Sequence, residues 1–261
     1  MTVNQEFSGR AAVVTGSSGI GLGVARKLAG LGAKVFVCGN DPDHNSRARA
    51  ETADQSIEIE DVDVGDEGQV VGFVRRLASR VSDVHVLVNA AAIQPYGNIE
   101  TTTPDTWDMV MRVNLKSCYL MSHTLYPWMK GRPNASIVHL ASVQGHCNQR
   151  DVMAYATSKG AIHALTRAMA VDCARDGVRV NSVSPGSIHT AMLEFAARAL
   201  TPPGGSIDET LRGFGNSHPI GRIGTIEEVA ELVAFLAGPR SGFCTGGDYP
   251  VDGGLRAQLG V

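Results

Sequence analysis

Apolar residues in this chain recur in short, nearly continuous runs separated by longer stretches of helical period. "RAAVVTG" (Arg10 to Gly16), "KVFVCG" (Lys34 to Gly39), "VHVLVNA" (Val84 to Ala90), "ASIVHLAS" (Ala135 to Ser142), "VRVNSVSPG" (Val178 to Gly186) and a last run from Cys244 to Val251 read as strands. A strand with one wet face alternates apolar and polar positions, so runs with this few polar residues belong to strands covered on both faces. Helical period predicts helices near Ile20 to Gly30, Gly65 to Ser82, Pro104 to Lys130, Met153 to Asp176 and Thr225 to Leu236. The alternation predicts an α/β fold, a doubly wound parallel sheet with right-handed crossovers and helices on both faces. "TPPGG" (Thr201 to Gly205) interrupts the pattern inside a long insertion from Ser187 to Gly224. At the carboxyl edge of such a sheet, an insertion of this kind is expected to be a substrate lid.

Composition narrows the setting. A chain of 261 residues with no repeat and no low-complexity segment is expected to form one domain over 1–261. A net charge of -3 and a pI near 6.2 leave no basic footprint for a phosphate backbone, so no nucleic-acid partner is expected. No apolar run approaches the roughly 20 residues that span a bilayer. The start, "MTVNQEFSGR", has no basic segment followed by an apolar core, which predicts neither membrane nor targeting. Five cysteines, odd in number and without CxxC spacing, favour reduced thiols and a cytoplasmic setting. The eight histidines show no metal-ligand spacing, and no metal is expected.

The first strand runs into "TGSSGIGLG". Glycines at Gly16, Gly19 and Gly21 permit a tight turn and close approach of the backbone to a pyrophosphate, on which the following helix would aim its free N–H groups. Further along, "YATSK" sets Tyr155 and Lys159 four positions apart, on one face of a helix, with Ser142 upstream. A phenol titrates near pH 10 and is a poor base at neutral pH unless its phenolate is stabilised. An ammonium at about 4 Å, with an effective dielectric of about 20, supplies on the order of 4 kcal/mol, enough for a depression of two or three pKa units. The spacing therefore points to Tyr155 as an acid/base tuned by Lys159. Taken singly, Ser142 and Asn114 read as turn and helix-capping residues, Asp63 as a helix-initiating acid and Thr190 as a cap.

Together, "TG…GIG", the "NAAA" run at Asn89, Asn114 in "VNLKS", Ser142, "YATSK" and "SPGSIHT" resemble the short-chain dehydrogenase/reductase family, from about Gly9 to Gly254. The resemblance implies a Rossmann-type fold and NAD- or NADP-dependent hydride transfer between an alcohol and a ketone or aldehyde. It implies that Tyr155 is the acid/base, that Lys159 also holds the nicotinamide ribose, that Ser142 hydrogen-bonds the substrate oxygen and that Asn114 holds a relay water. It carries a cofactor site onto Gly16, Ser18, Gly19, Ile20, Gly21, Asn40, Asp63, Val64, Asn89, Ala90, Pro185, Gly186, Ile188 and Thr190, with Asp63 toward adenine. It also implies a homo-oligomer, a tetramer.

Three departures from the family pattern bear on the cofactor. Two residues rather than three separate Gly16 from Gly19, "NNAG" appears as Asn89-Ala90-Ala91-Ala92, and "CGND" carries neither an acid at Gly39 nor a base at Asn40 or Ser18. The absence of a cation for a 2′-phosphate tilts the expectation to NAD over NADP. A polar set, Gln94, Gln144, His146, Asn148, Gln149, Arg150 and His189, is expected to rim the substrate pocket. A sugar, polyol or hydroxy acid suits such groups, Arg150 being the partner for an anion or for paired hydroxyls. Alternatives are a nucleotide-binding protein with weakened catalysis and a sensing or assembly role, or a reductase of a less polar ketone. A helix from Met153 to Asp176 that is apolar over more than one face, through Ala154, Ala161, Leu165 and Ala168 and also Ile162, Met169 and Cys173, predicts a partner copy.

Overall fold

Side chains that alternate along the strands divide the interior into two cores, one on each face of a seven-stranded sheet. The computed structural model describes residues 5–259. The strands are β1 (Ala11–Thr15), β2 (Lys34–Gly39), β3 (Ile57–Asp61), β4 (Val86–Asn89), β5 (Ser136–Leu140), β6 (Arg179–Pro185) and β7 (Asp248–Val251). All pair in parallel in the order β3-β2-β1-β4-β5-β6-β7. Val13, Phe36, Leu87 and Ile137 point to one face, onto Phe73, Leu77, Met121 and Leu125. Their neighbours Val14, Val37, Val88 and Val138 point to the other, onto Val24, Leu28, Val229 and Val233. The first group of partners lies on α3 (Glu67–Leu77) and α5 (Ser117–Met129), the second on α1 (Gly19–Gly30) and α9 (Ile226–Ala237).

The doubly wound sheet is the one expected from the apolar runs, with β3 and α2 (Pro42–Glu51) added. Strand β3, "IEIED", lies at the sheet edge and is only half-buried; Glu58 and Glu60 reach Arg80 on the exposed side, and Glu60 also reaches Arg76. Helix α2 has almost no apolar face and is set by its start, where the Asp41 carboxylate accepts the His44 N–H at 2.8 Å and Pro42 opens the first turn.

The predicted helix from Pro104 to Lys130 is continuous but not uniform. It begins as α4 (Pro104–Val110), passes through a π-helical stretch over Met111–Lys116 and continues as α5. The insertion from Ser187 to Gly224 holds α7 (Ala191–Leu200) and α8 (Ile207–Asn216). Its two ends are pinned together, since Gly224 donates to the Ser187 carbonyl at 2.9 Å and His189 to the Gly224 carbonyl at 3.0 Å. Among the described residues, no helix is long and apolar enough to cross a membrane.

Candidate active site

The strand order reverses direction between β1 and β4, and a cavity of about 1030 Å³ opens there at the carboxyl ends of the strands. Its first wall is the turn between β1 and α1. Gly16 (φ +96°) and Gly19 (φ +54°) lie in the left-handed region that glycine tolerates. A Cβ on Gly21 would stand 2.3 Å from the Gly16 carbonyl oxygen, so only glycine lets the helix start this close to the strand. The N-cap, Ser18, makes no side-chain hydrogen bond to the helix. The first-turn N–H groups of α1 are thereby left for a ligand anion, the fit expected for a pyrophosphate. The shortened turn still forms this cradle.

Gly16, Ser18, Gly19, Ile20, Gly21, Asn40, Asp63 and Val64 line the cavity, as do Ala90, Pro185, Gly186, Ile188 and Thr190. Asn89 does not: it lies 3 % exposed below the site, with its side-chain amide on His139 Nδ1 at 3.1 Å and Ser122 Oγ at 3.4 Å. Thr15 Oγ1 accepts the Ala90 and Ala91 N–H groups at 2.9 and 3.0 Å and fixes the backbone of this run. Asp63 is not the acid that starts a helix, because Asp66 caps α3. Its carboxylate instead accepts from the Arg112 guanidinium at 2.7 Å and the Gly65 N–H at 2.9 Å, and these bonds outweigh its burial and hold it below the usual carboxylate range. Thr190 is a cavity residue and also the cap of α7, accepting the Leu193 N–H at 3.2 Å.

Gly39 explains why no acid stands at the end of β2. A Cβ there would lie 2.3 Å from both Ser17 Oγ and Asn45 Oδ1. Besides Asp63, a second carboxylate at this end of the cavity is Asp41, with His44 beside it. The sequence reading passed over both; Asp41-Pro42 is a recognisable helix start and could have drawn attention to them.

The tyrosine and lysine come from α6 (Met153–Cys173), four residues apart on its buried face. Ser142 follows β5, where its Oγ accepts the Gln144 N–H at 3.1 Å. All three line the cavity. Burial pushes the Tyr155 phenol up to about 12, with a hydrogen bond from Ser142 pulling the other way. Burial also pulls the Lys159 ammonium down to about 8. The phenol therefore moves opposite to the direction expected from the spacing alone, because burial dominates its environment. Lys159 Nζ lies 5.4 Å from the Tyr155 ring centre and donates to the Leu140 carbonyl oxygen at 2.7 Å.

Asn114 sits in the π-helical stretch, buried behind the cavity wall. It is a clamp rather than a cap: its oxygen accepts the Ile93 N–H at 2.9 Å, and its amide donates to the Ile93 carbonyl at 3.0 Å and to Ser158 Oγ at 3.1 Å. This fixes α6 against the loop after β4 at the level of the tyrosine.

The expected substrate residues separate into two groups. Gln94, Gln144, Asn148 and Gln149 line the cavity. His146, Arg150 and His189 do not. His146 turns away to the Asp248 carboxylate at 2.7 Å and stacks on His163, the ring centres 4.1 Å apart. Arg150 is exposed on the loop before α6, and His189 is exposed beside Glu194 at 3.7 Å. The insertion contributes residues the sequence reading missed: Met192, Phe195, Phe214 and His218, joined by Leu255.

Known proteins carry the same architecture. The chain is 34 % identical to L-fucose dehydrogenase of Mus musculus over 263 residues, covering 100 % of this chain and 92 % of that one. It is 30 % identical to the NADP-dependent (R)-specific alcohol dehydrogenase of Lentilactobacillus kefiri, covering 98 % and 100 %. The ligand-free structure of Thermoplasma acidophilum aldohexose dehydrogenase superposes with a TM-score of 0.90 at 31 % identity, covering 98 % of both chains. Residues 14–256 match the family model described as enoyl-(acyl carrier protein) reductase. With its doubly wound sheet and such relatives along nearly its whole length, the chain is a dehydrogenase/reductase enzyme and belongs to the short-chain dehydrogenase/reductase family.

Proposed function

We propose that this enzyme transfers a hydride between a nicotinamide cofactor and the secondary alcohol or carbonyl of a hydroxyl-rich substrate, a sugar, polyol or hydroxy acid, with Tyr155 as the acid/base. The observation that carries the reading is the convergence of Ser142, Tyr155 and Lys159 on one cavity that also holds the glycine cradle. A bound nicotinamide supplies the hydride acceptor for oxidation, or the donor for reduction. Ser142 orients the substrate oxygen; Tyr155 gives its proton to that oxygen on reduction, and on oxidation it takes the hydroxyl proton as the phenolate, a form its burial disfavours and that the positive charges of Lys159 and an oxidised nicotinamide would have to stabilise. Lys159, held by the Leu140 carbonyl, presents its remaining N–H groups to the cavity. Relatives named for fucose and aldohexose support the substrate class.

For the cofactor, the adenosine end favours NAD. Asp41 and Asp63 line it and no lysine or arginine does; Asp63 is already paired with Arg112, which stands outside the lining, so a 2′-phosphate would meet Asp41 with no free cation in that wall. Fluorescence titration with NADH and NADPH, followed by a turnover screen of sugars and hydroxy acids, tests the reading. NADH is expected to bind at least about tenfold tighter, and tighter NADPH binding overturns the preference. Binding without turnover of any alcohol or carbonyl overturns the catalytic reading and favours a nucleotide-sensing role.

A further inference from the structure

The substrate half of the cavity has one polar wall and one apolar wall, and neither bears a countercharge for an anion. Gln94, Gln144, Asn148 and Gln149 form the polar wall. Phe195 and Phe214 of the insertion belong to the apolar one. The histidine at this end, His218, donates from Nδ1 to the Phe214 carbonyl at 2.8 Å and accepts the Ser187 N–H on Nε2 at 3.1 Å, an arrangement open only to the neutral ring. Arg150, the cation that would have met a carboxylate, stands outside the cavity lining. No arginine or glutamate lines the cavity among the described residues, and Lys159 is the one lysine, beneath Tyr155.

Within the polar wall, Gln144 is distinct. Its side-chain oxygen is buried and has no hydrogen-bond partner. Its backbone N–H is held by Ser142 Oγ at 3.1 Å, which sets it two residues from the serine that faces the reacting oxygen. An unpaired buried acceptor calls for a donor, and the soft terminal torsion of glutamine lets the amide turn its oxygen toward one in the cavity. A ligand hydroxyl is such a donor; a carboxylate is not.

We propose that the enzyme acts on a neutral polyhydroxyl compound, lying between the carboxamide wall and the aromatic wall, and that Gln144 determines specificity by accepting a hydrogen bond from the hydroxyl adjacent to the reacting carbon. This rests on the dehydrogenase reading above. The amides meet the hydroxyl edge, and the C–H face of a sugar ring packs on the phenyl rings.

The test measures kcat/KM with NAD and NADP for D-glucose, D-mannose and D-galactose, oxidised at the anomeric carbon, for their hexuronates and 2-deoxy forms, and for an apolar secondary alcohol. Wild type and the Gln144→Met and Gln144→Glu variants are compared, with NADH affinity by fluorescence as a check on each fold. The neutral sugars are expected to exceed both the hexuronates and the 2-deoxy forms by about tenfold or more. Gln144→Met should erase the preference for the 2-hydroxyl while keeping NADH affinity, and Gln144→Glu, which retains an acceptor, should preserve it. Hexuronates used as well as the neutral sugars, the apolar alcohol as the best substrate, or an undiminished 2-hydroxyl preference in Gln144→Met each overturn this inference and leave the dehydrogenase standing. If no alcohol reacts with either cofactor and no carbonyl is reduced, both fall.

Discussion

Lys159 holds its ammonium 5.4 Å from the centre of the Tyr155 ring and donates to the Leu140 carbonyl rather than to the phenol. The lysine is thus anchored to the end of β5, and the tyrosine hydroxyl is left to Ser142 and the substrate. Tyr155→Phe keeps the ring and removes only the proton carrier. Turnover is expected to fall by at least about 100-fold while NADH affinity stays unchanged. Lys159→Ala should weaken NADH binding as well, because it removes an ammonium that lines the cavity and is proposed to hold the nicotinamide ribose. Single-turnover rates and fluorescence titrations separate the two, and near wild-type turnover in Tyr155→Phe would sink the mechanism.

The buried ammonium also carries a stability cost. Its folded pKa, about 8, lies below the ordinary 10.5, so the unfolded chain holds the proton more strongly. The penalty is fully present below pH 8 and fades as pH rises toward 10.5; its size is roughly 3 kcal/mol. Lys159→Met removes the charge and loses the bond to Leu140, a loss of about 1–2 kcal/mol. The variant is expected to be inactive yet more stable by about 1–2 kcal/mol at pH 7, with the gain falling to zero between about pH 9 and 10 and turning into a loss near pH 10.5. Denaturant melts at the two pH values check this; a variant less stable at pH 7 would show that the Leu140 contact dominates.

At Gly39 the space that would take an acid is already filled by Ser17 and Asn45. Asn45 is fixed in place by bonds from its amide to the Gly39 carbonyl at 2.9 Å and to Asp61 at 2.6 Å. Gly39→Ala is expected to cost about 1–3 kcal/mol by overpacking. Gly39→Asp should cost more and bring no gain in NADH affinity. An aspartate variant that binds NADH more tightly at unchanged Tm would mean that Ser17 and Asn45 yield easily.

How much of this was legible in the chain depended on the reach of each signal. Tyr155 and Lys159 are four residues apart, and helical spacing alone puts them on one face. The glycine turn is equally local. The partner of His146, by contrast, is Asp248, and no local pattern reveals that this histidine leaves the pocket. Strand β3 hides because its alternate residues are glutamates that answer to arginines on α3 and just beyond it, which removes the apolar run that marked the other strands. Arg150 misled for a different reason: nearness in sequence to Tyr155 does not fix which side of a loop a long side chain takes.

We further propose a homo-oligomer built through α5 and α6. Ile162 and Ala170 of α6 are buried, but Val171 is 77 % exposed, and Tyr119 on α5 is 51 % exposed. A second copy would cover these exposed apolar groups. Sedimentation at micromolar concentration is expected to show a tetramer, and Val171→Glu should shift it to smaller species. A stable wild-type monomer overturns the proposal.

We propose that the insertion moves as one flap. Its ends meet in the Ser187, His189 and Gly224 backbone bonds, while α7 and α8 are joined by "TPPGG", in which Gly204 takes φ +79°. Thr201 Oγ1 and Thr210 Oγ1, 2.9 Å apart, tie the two helices across that turn. Met192, Phe195 and Phe214 on the underside line the cavity, and Phe195 is 57 % exposed, so closure over a ligand would bury apolar surface now in water. Proteolysis within Thr201 to Gly205 should therefore slow several-fold when cofactor and substrate are both present, and less with cofactor alone. Replacing Phe195 with Ala should raise KM more than it lowers kcat, because the ring contributes to closing on the substrate and not to the proton transfer. Cleavage at the same rate with and without ligands would mean that the flap stays where the structure places it and that the pocket is closed elsewhere.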